Sequence, residues 1–202
     1  MSENHDSRRL DARHAQRAFL LGVALEGGLV LVGIVLAQLF SLPHPIAAMT
    51  LTSTAVVWGI LGAIPPLALL ALFFRIPLRF LREIISIIET FFVPLLRHWS
   101  LGQIALLSAL AGFGEEVFFR GVMQHVLQGP GDAAVDRWLG IIGAGILFGL
   151  FHAVSPGYLL FATAMGIYLG GLYFFTGNLL TAVIAHGVYD FLACLYLLRR
   201  SR

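Results

Sequence analysis

Long blocks of apolar residues alternate along the chain with short polar segments that contain Pro and Gly. A transmembrane helix needs about 20 consecutive, mostly apolar residues. The pattern therefore predicts six transmembrane helices, which cover Ala18–Phe40, Leu51–Phe74, Leu101–Leu127, Trp138–Val154, Gly157–Phe175 and Asn178–Leu198. The first block is too long for the apolar region of a signal peptide, so we expect an uncleaved span. Pro65 and Pro66 lie inside the second block and predict a kink there.

The stretch Arg75–Trp99, between the second and third blocks, carries too many charges to cross a membrane. Its ionisable residues alternate with Ile, Leu and Phe, a pattern typical of a helix that lies in the membrane interface with its apolar face towards the acyl chains. We therefore predict an all-α, polytopic membrane protein with about six transmembrane helices and one interfacial amphipathic helix. The expected divisions are a polar N-terminus (1–17), two N-terminal spans (18–74), the interfacial segment (75–100), a four-helix catalytic core (101–198) and a basic tail (199–202).

Composition and arginine placement support this picture. The chain is 58% hydrophobic and 12% charged, and that charged fraction is about half the value typical of a soluble domain. Basic residues cluster before the first span, after the second and after the sixth, namely Arg8, Arg9, Arg13, Arg17, Arg75, Arg79, Arg82, Arg199, Arg200 and Arg202. Six spans place these clusters on one side, and the positive-inside rule makes that side, with both termini, cytoplasmic. All 13 basic residues are Arg, a bias that indicates a bacterium and hence its cytoplasmic membrane.

Six ionisable side chains occur inside the last four predicted spans. They are Glu115, Glu116, Arg120, His152, His186 and Asp190. Each costs at least ~2.5–3.5 kcal/mol at bilayer depth. Their summed cost, on the order of 15 kcal/mol, exceeds the whole stability of a typical domain. We therefore expect these groups to meet each other inside the bundle, where they form a site.

Helical spacing predicts how the groups face each other. Glu116 and Arg120 lie four residues apart with the acid first, the favourable order for an ion pair. Glu115 points about 100° away and is left to face another helix. His186 and Asp190 share a face by the same four-residue spacing. A carboxylate beside an imidazole can deprotonate water, and a second imidazole can stabilise an oxyanion, so the set predicts hydrolysis of a peptide or ester bond.

Three segments in the last four spans resemble the motifs of the CPBP family of intramembrane glutamic peptidases, which includes the CAAX prenyl endopeptidases. The segments are Glu115-Glu116-Val-Phe-Phe-Arg120, Phe148-Gly-Leu-Phe-His152 and His186-Gly-Val-Tyr-Asp190. The resemblance covers Leu101–Leu198, about half of the chain. It implies an intramembrane endopeptidase that cleaves a membrane-associated or lipidated peptide. Separately from the resemblance, we expect no cofactor and no metal.

The resemblance also implies roles for individual residues. The implied catalytic residues are Glu115, Glu116, His152, His186 and Asp190, and the implied structural supports are Arg120 and Phe148. Glu115 would activate water together with His152, and His186 with residue 190 would form the oxyanion site. The prenyl endopeptidases usually have Asn at this last position. Because an ionised Asp would repel an oxyanion, we expect Asp190 to orient and charge His186 instead.

Other readings of the same residues are weaker or remain open. Zinc ligation by Glu115, His152 and His186 is disfavoured because no HExxH is present and no two histidines share a helix face. Asp132, in a Gly-Pro-Gly-Asp segment typical of aspartyl intramembrane peptidases, falls in a polar loop. A bacteriocin-immunity protein and a small proton-coupled transporter stay open as alternatives. No nucleic-acid partner is expected, and the oligomeric state stays open.

Glu26 in the first predicted span matches none of the three motifs. Gly27 and Gly28 follow it and predict a close contact with another helix. Because an isolated charge is costly at bilayer depth, we expect a neutral Glu26 carboxyl that bonds to a neighbouring backbone group.

Overall fold

A computed structural model describes residues 3–76, 79–131 and 133–201, and the chain is helical, with no strand in these ranges. The helices are α1 (Glu3–Leu39), α2 (Ser53–Gly62), α3 (Ile64–Phe73), α4 (Arg79–Ile87), α5 (Val93–Leu96), α6 (Leu101–Phe118), α7 (Gln124–Gln128), α8 (Ala134–Phe151), α9 (Pro156–Thr176) and α10 (Leu179–Arg200). A 3₁₀ turn covers Pro45–Ala48, and π-helical turns cover Ile88–Phe92 and Phe119–Met123. Asp132 and Arg202 lie outside the described residues. The side chains of Arg8, Arg9 and Arg79 are likewise outside the description, so the predictions for these five side chains are left as they stand.

Six stretches of helix within the described residues are long and apolar enough to cross a membrane. They are Asp11–Leu39, Ser53–Phe73, Leu101–Gln128, Ala134–Phe151, Pro156–Thr176 and Leu179–Arg200. The prediction of an all-α, multi-pass membrane protein with six spans is confirmed. Large apolar side chains point outwards, for example Leu25 and Leu39, which are 68% and 72% exposed. Acyl chains are as apolar as leucine and can cover such a surface.

Some boundaries differ from the predicted ones. The helix of the first span begins at Glu3. It therefore includes most of the segment 1–17 that was predicted as a separate polar N-terminus. The second span is interrupted at Ala63, just before Pro65 and Pro66, which accounts for the expected kink. Helix α8 begins earlier than predicted and ends at Phe151, so His152 lies just beyond the helix rather than inside the span.

Helices α6 and α10 form the centre of the bundle. They pack against each other, α1 packs against α6, and α2 and α9 pack against α10. Their crossing depends on Gly112, because a Cβ atom there would lie 2.7 Å from the Gly187 nitrogen and 2.8 Å from the Val183 oxygen. Small residues let two membrane helices approach this closely. The close crossing brings Glu115 and Glu116 within reach of His186.

Helix α9 approaches α8 closely at one pair of glycines. A Cβ on Gly166 would lie 2.7 Å from the Gly145 Cα, so α8 and α9 approach closely at this pair. A Cβ on Gly171 would meet nothing within 4 Å. The close approach is therefore limited to one side of the helix.

The amphipathic segment forms α4, and its apolar side packs on protein rather than facing only acyl chains. Leu81 and Ile84 are buried, and they form a cluster with Ile88 and Leu197 of α10. Arg82 lies on the exposed side. The sequence predicted that the apolar face of this helix would point towards the acyl chains. That prediction was incomplete, because part of this face packs against the rest of the protein.

Replacement of Gly112 by Ala tests the central crossing. We expect Gly112→Ala to lower the free energy of unfolding by about 1–3 kcal/mol, because the new methyl group collides with backbone atoms of α10. Gly102→Ala in the same helix is the matched control, since a Cβ there meets only the Ser100 Oγ at 3.9 Å. Thermal unfolding in detergent measures both. Equal stability of the two variants would show that the crossing tolerates a methyl group.

Candidate active site

A buried ion pair lies where α6 passes into the π-helical turn Phe119–Met123. Arg120 Nη1 donates a hydrogen bond to Glu116 Oε1 at 2.9 Å, and both side chains are fully buried. Arg120 Nη2 donates to the carbonyl oxygen of Gly166 in α9, also at 2.9 Å. The four-residue spacing predicted this pair, but not its connection to α9. The guanidinium thus neutralises Glu116 and ties α6 to α9.

Glu116 has a second partner that the sequence reasoning missed. His186 Nδ1 donates to the same Glu116 oxygen at 2.9 Å. Glu116 therefore accepts hydrogen bonds from two side chains. One donor is Arg120, four residues further along the chain, and the other is His186 of α10. Helical spacing within α6 predicts only the first contact, because the second depends on how α6 and α10 cross.

His152 is directed into the bundle by the end of α8. Its Nδ1 donates to the carbonyl oxygen of Phe148 at 2.9 Å. The ring also stacks on the Phe148 ring, with centroids 4.4 Å apart and planes inclined by 23°. The Arg120 guanidinium carbon lies 4.6 Å from the centroid of the same phenyl ring. Phe148 therefore packs against both Arg120 and His152, a more specific contact than the general support expected of it.

The second nitrogens of both imidazoles face Glu115. His152 Nε2 lies 3.5 Å from Glu115 Oε1, and His186 Nε2 lies 3.8 Å from Glu115 Oε2. His186 Nε2 also lies 3.5 Å from Asp190 Oδ2. Since direct N–H···O bonds are about 2.7–3.2 Å long, these groups surround a common space. Among the described residues, no group of three or more His, Cys, Asp or Glu side chains is placed to hold a metal ion.

This space opens into a cavity of about 410 Å³, within the range of about 300–1,000 Å³ typical of ligand sites. The polar and ionisable residues that line it include Glu26, Ser108, Glu115, His152, His186 and Asp190. Its other walls are mostly apolar and include Leu70 of α3, Ile84 of α4 and Phe161 of α9. The cavity thus combines a cluster of ionisable groups with an apolar chamber.

Glu26 belongs to this cavity, which the sequence reasoning did not foresee. Its Oε2 is buried and has no hydrogen-bond partner among the described residues, so the expected bond of this oxygen to the backbone is absent. The close helix contact is made by Gly114 of α6, where a Cβ would collide with the Glu26 carbonyl oxygen. A Cβ on Gly27 or Gly28 would meet nothing within 4 Å, so the contact predicted for these glycines was wrong.

Comparison with protein families identifies the segment that carries the site. Residues 97–192 match the family model described as Rce1-like, type II CAAX prenyl endopeptidase Rce1-like. The match covers just under half of the chain, and it includes α6 and α8 and most of α10. Comparison with curated proteins and with solved structures finds no match. The resemblance to the CPBP and CAAX peptidase family is thus confirmed, and the family supports a protease of the CAAX type in general.

Loss of Arg120 tests the electrostatic role of the buried pair. We expect Arg120→Met to lower the free energy of unfolding by about 3–5 kcal/mol, because the charge on Glu116 stays buried without its main partner. The double variant Glu116→Gln/Arg120→Met should recover part of this loss, since a neutral amide has no charge to desolvate. Denaturant unfolding in micelles measures these two variants and the single variant Glu116→Gln. A double variant whose loss equals the sum of the two single losses would contradict the pairing.

Proposed function

We propose that the chain, which over residues 97–192 matches the family model described as Rce1-like, type II CAAX prenyl endopeptidase Rce1-like, is an intramembrane peptidase in which Glu115 activates water for peptide-bond hydrolysis. The observation that carries the proposal is the position of the Glu115 carboxylate between the Nε2 atoms of His152 and His186, in the lining of a cavity. The proposed catalytic group consists of Glu115, Glu116, His152, His186 and Asp190.

The hydrogen bonds of the imidazoles set their chemistry. Nδ1 of His152 is occupied by the Phe148 carbonyl and Nδ1 of His186 by Glu116. Both rings therefore present Nε2 to the reacting groups, and the partner on Nδ1 fixes this orientation. His152 Nε2 and Glu115 Oε1 lie 3.5 Å apart, so a water molecule beside this pair can contact both atoms at ordinary hydrogen-bond distance.

In the proposed reaction, the water oxygen attacks the carbonyl carbon of the scissile bond while Glu115 accepts one of its protons. The carbonyl oxygen becomes an oxyanion, which His186 stabilises through a proton on Nε2. The carboxylates of Glu116 and Asp190 on either side favour the charged imidazole. The bond between carbon and nitrogen then breaks, and Glu115 passes its proton to the leaving amine.

The apolar chamber supports a substrate that is membrane-associated or lipidated. Apolar side chains of α3, α4 and α9 form much of its wall, and the ionisable groups line the same cavity. A peptide could therefore keep an apolar anchor in the chamber while its backbone reaches Glu115. We further propose that the chain resides in a bacterial cytoplasmic membrane with both termini cytoplasmic, as the arginine clusters indicate.

Glu115→Gln tests the water-activating role. We expect peptide cleavage to fall by about 10²–10⁴-fold, because an amide of the same size cannot accept the proton. Glu89→Gln is the matched control, since this acid is exposed and lies outside the cavity. Mass spectrometry of membrane-anchored peptides incubated with each purified variant measures the rates. Equal cleavage by the wild type and Glu115→Gln would remove the proposal.

Asp190→Asn tests the supporting role of the carboxylate beside His186. We expect a folded enzyme with kcat reduced by roughly tenfold, or about 1.4 kcal/mol of activation free energy, because His186 keeps its bond to Glu116. The same cleavage assay, with thermal unfolding as the check on folding, gives the result. Complete loss of activity in a folded variant would assign Asp190 an indispensable part instead.

A further inference from the structure

The acid Glu26 of α1 has no role in the reaction described above, although it lines the main cavity. It also lines a second, adjoining cavity, together with Glu115 and His152. Its Oε2 is buried and has no hydrogen-bond partner among the described residues. Buried polar atoms are nearly always paired, so an exception in the wall of a cavity calls for a functional explanation.

The packing of α1 on α6 places Glu26 beside Glu115. A Cβ on Gly114 would lie 3.5 Å from the Glu26 Cα and 3.1 Å from the Glu26 carbonyl carbon. Glu115 follows Gly114 directly, so the backbone segments that carry the two acids are in contact. Both side chains line the same two cavities. The two carboxyl groups therefore border a common space.

The charges around Glu26 favour a neutral carboxyl group. The other acids and histidines that line the main cavity are Glu115, Asp190, His152 and His186. Both imidazoles lie beside these other acids, with His152 Nε2 3.5 Å from Glu115 and His186 Nε2 3.5 Å from Asp190. Among the described residues, Glu26 forms no ion pair. Because a buried, unpaired charge beside other carboxylates is costly, Glu26 keeps a proton that it can donate.

Cleavage of a peptide bond requires such a donor, because the leaving nitrogen must gain a proton as the bond breaks. In the reaction proposed above, this proton is the one that Glu115 took from the attacking water. The two oxygens of Glu115 lie 3.5 and 3.8 Å from imidazole Nε2 atoms, where the water and the oxyanion are held. A neighbouring carboxyl group with an unpartnered oxygen can take the proton from there to the nitrogen.

We propose that Glu26 is a further catalytic residue, which carries the proton from Glu115 to the leaving amine. This inference rests on the proposed function and completes its last step. As the bond between carbon and nitrogen breaks, its electron pair goes to nitrogen, and nitrogen takes the proton of Glu26. The Glu26 carboxylate then takes the proton that Glu115 received from water. The products are a carboxylic acid and an amine, and both glutamates return to their starting states.

Two matched substrates separate this step from the attack of water. One is an anchored peptide, and the other is the same molecule with sulfur in place of the scissile nitrogen. A thiol ionises at about pH 8.5, so a thiolate can leave without a proton, whereas the amide nitrogen cannot. A residue that only supports the fold affects both substrates alike. A proton donor to the leaving group matters for the peptide alone.

Glu26→Gln, in the full chain in detergent micelles, tests the proton path. We expect kcat/KM for the peptide to fall by about 10²-fold or more, because the amide has the size of the acid but no proton to give. Cleavage of the thioester should stay near the wild-type rate. Glu89→Gln is the control, since this exposed acid lies outside both cavities. It should leave both rates unchanged.

Several results would overturn the inference. If Glu26→Gln slows both substrates equally, Glu26 has only a structural part. Unchanged peptide cleavage would also exclude the proton path. Glu115→Gln distinguishes these results from failure of the proposed function, because water must be activated for both substrates. If Glu115→Gln slows both but Glu26→Gln does not discriminate between them, only this inference fails. If Glu115→Gln slows neither, the proposed function fails and the proton path fails with it.

Discussion

One carboxylate oxygen, Oε1 of Glu116, accepts hydrogen bonds from both Arg120 and His186 inside an apolar bundle. Ionisable groups at this depth are costly, and pairing lowers that cost. Arg120 also donates to the Gly166 carbonyl, so the bonds around this oxygen connect α6, α9 and α10. The close crossing at Gly112 makes the contact to His186 possible, because a bulkier residue would push α10 away. The positions of the other polar groups follow from this cluster.

The same bonds determine which atoms are left for chemistry. Since Glu116 occupies Nδ1 of His186 and a backbone carbonyl occupies Nδ1 of His152, both imidazoles direct Nε2 at Glu115. Phe148 packs between Arg120 and His152. It therefore connects the ion pair of Glu116 and Arg120 to the proposed pair of Glu115 and His152. The proposed hydrolytic site is thus held mainly by helices, and His152, just beyond α8, is held by its bond to Phe148 of that helix, which favours the fixed geometry that catalysis needs.

Sequence reasoning predicted the features that depend on local periodicity. Block length predicted six spans, and four-residue spacing predicted the pair of Glu116 with Arg120. Features that depend on how helices cross were missed, such as the bond of Glu116 to His186. The end of α8 was also missed, because the apolar residues Ala153 and Val154 follow soon after the last helical residue, Phe151. Glu26 was visible as an unpaired acid in the first span, but only the packing of α1 on Gly114 places it at the cavity.

The central claim is that Glu115 and His152 act together on one water molecule. A double-mutant cycle tests it most directly, with kcat/KM measured on one peptide for Glu115→Gln, His152→Ala and the combined variant. Residues that act as a unit give strongly non-additive losses. The account therefore predicts that the combined variant is about as slow as Glu115→Gln alone. A combined loss equal to the product of the two single losses would show that the residues act independently and would contradict the account.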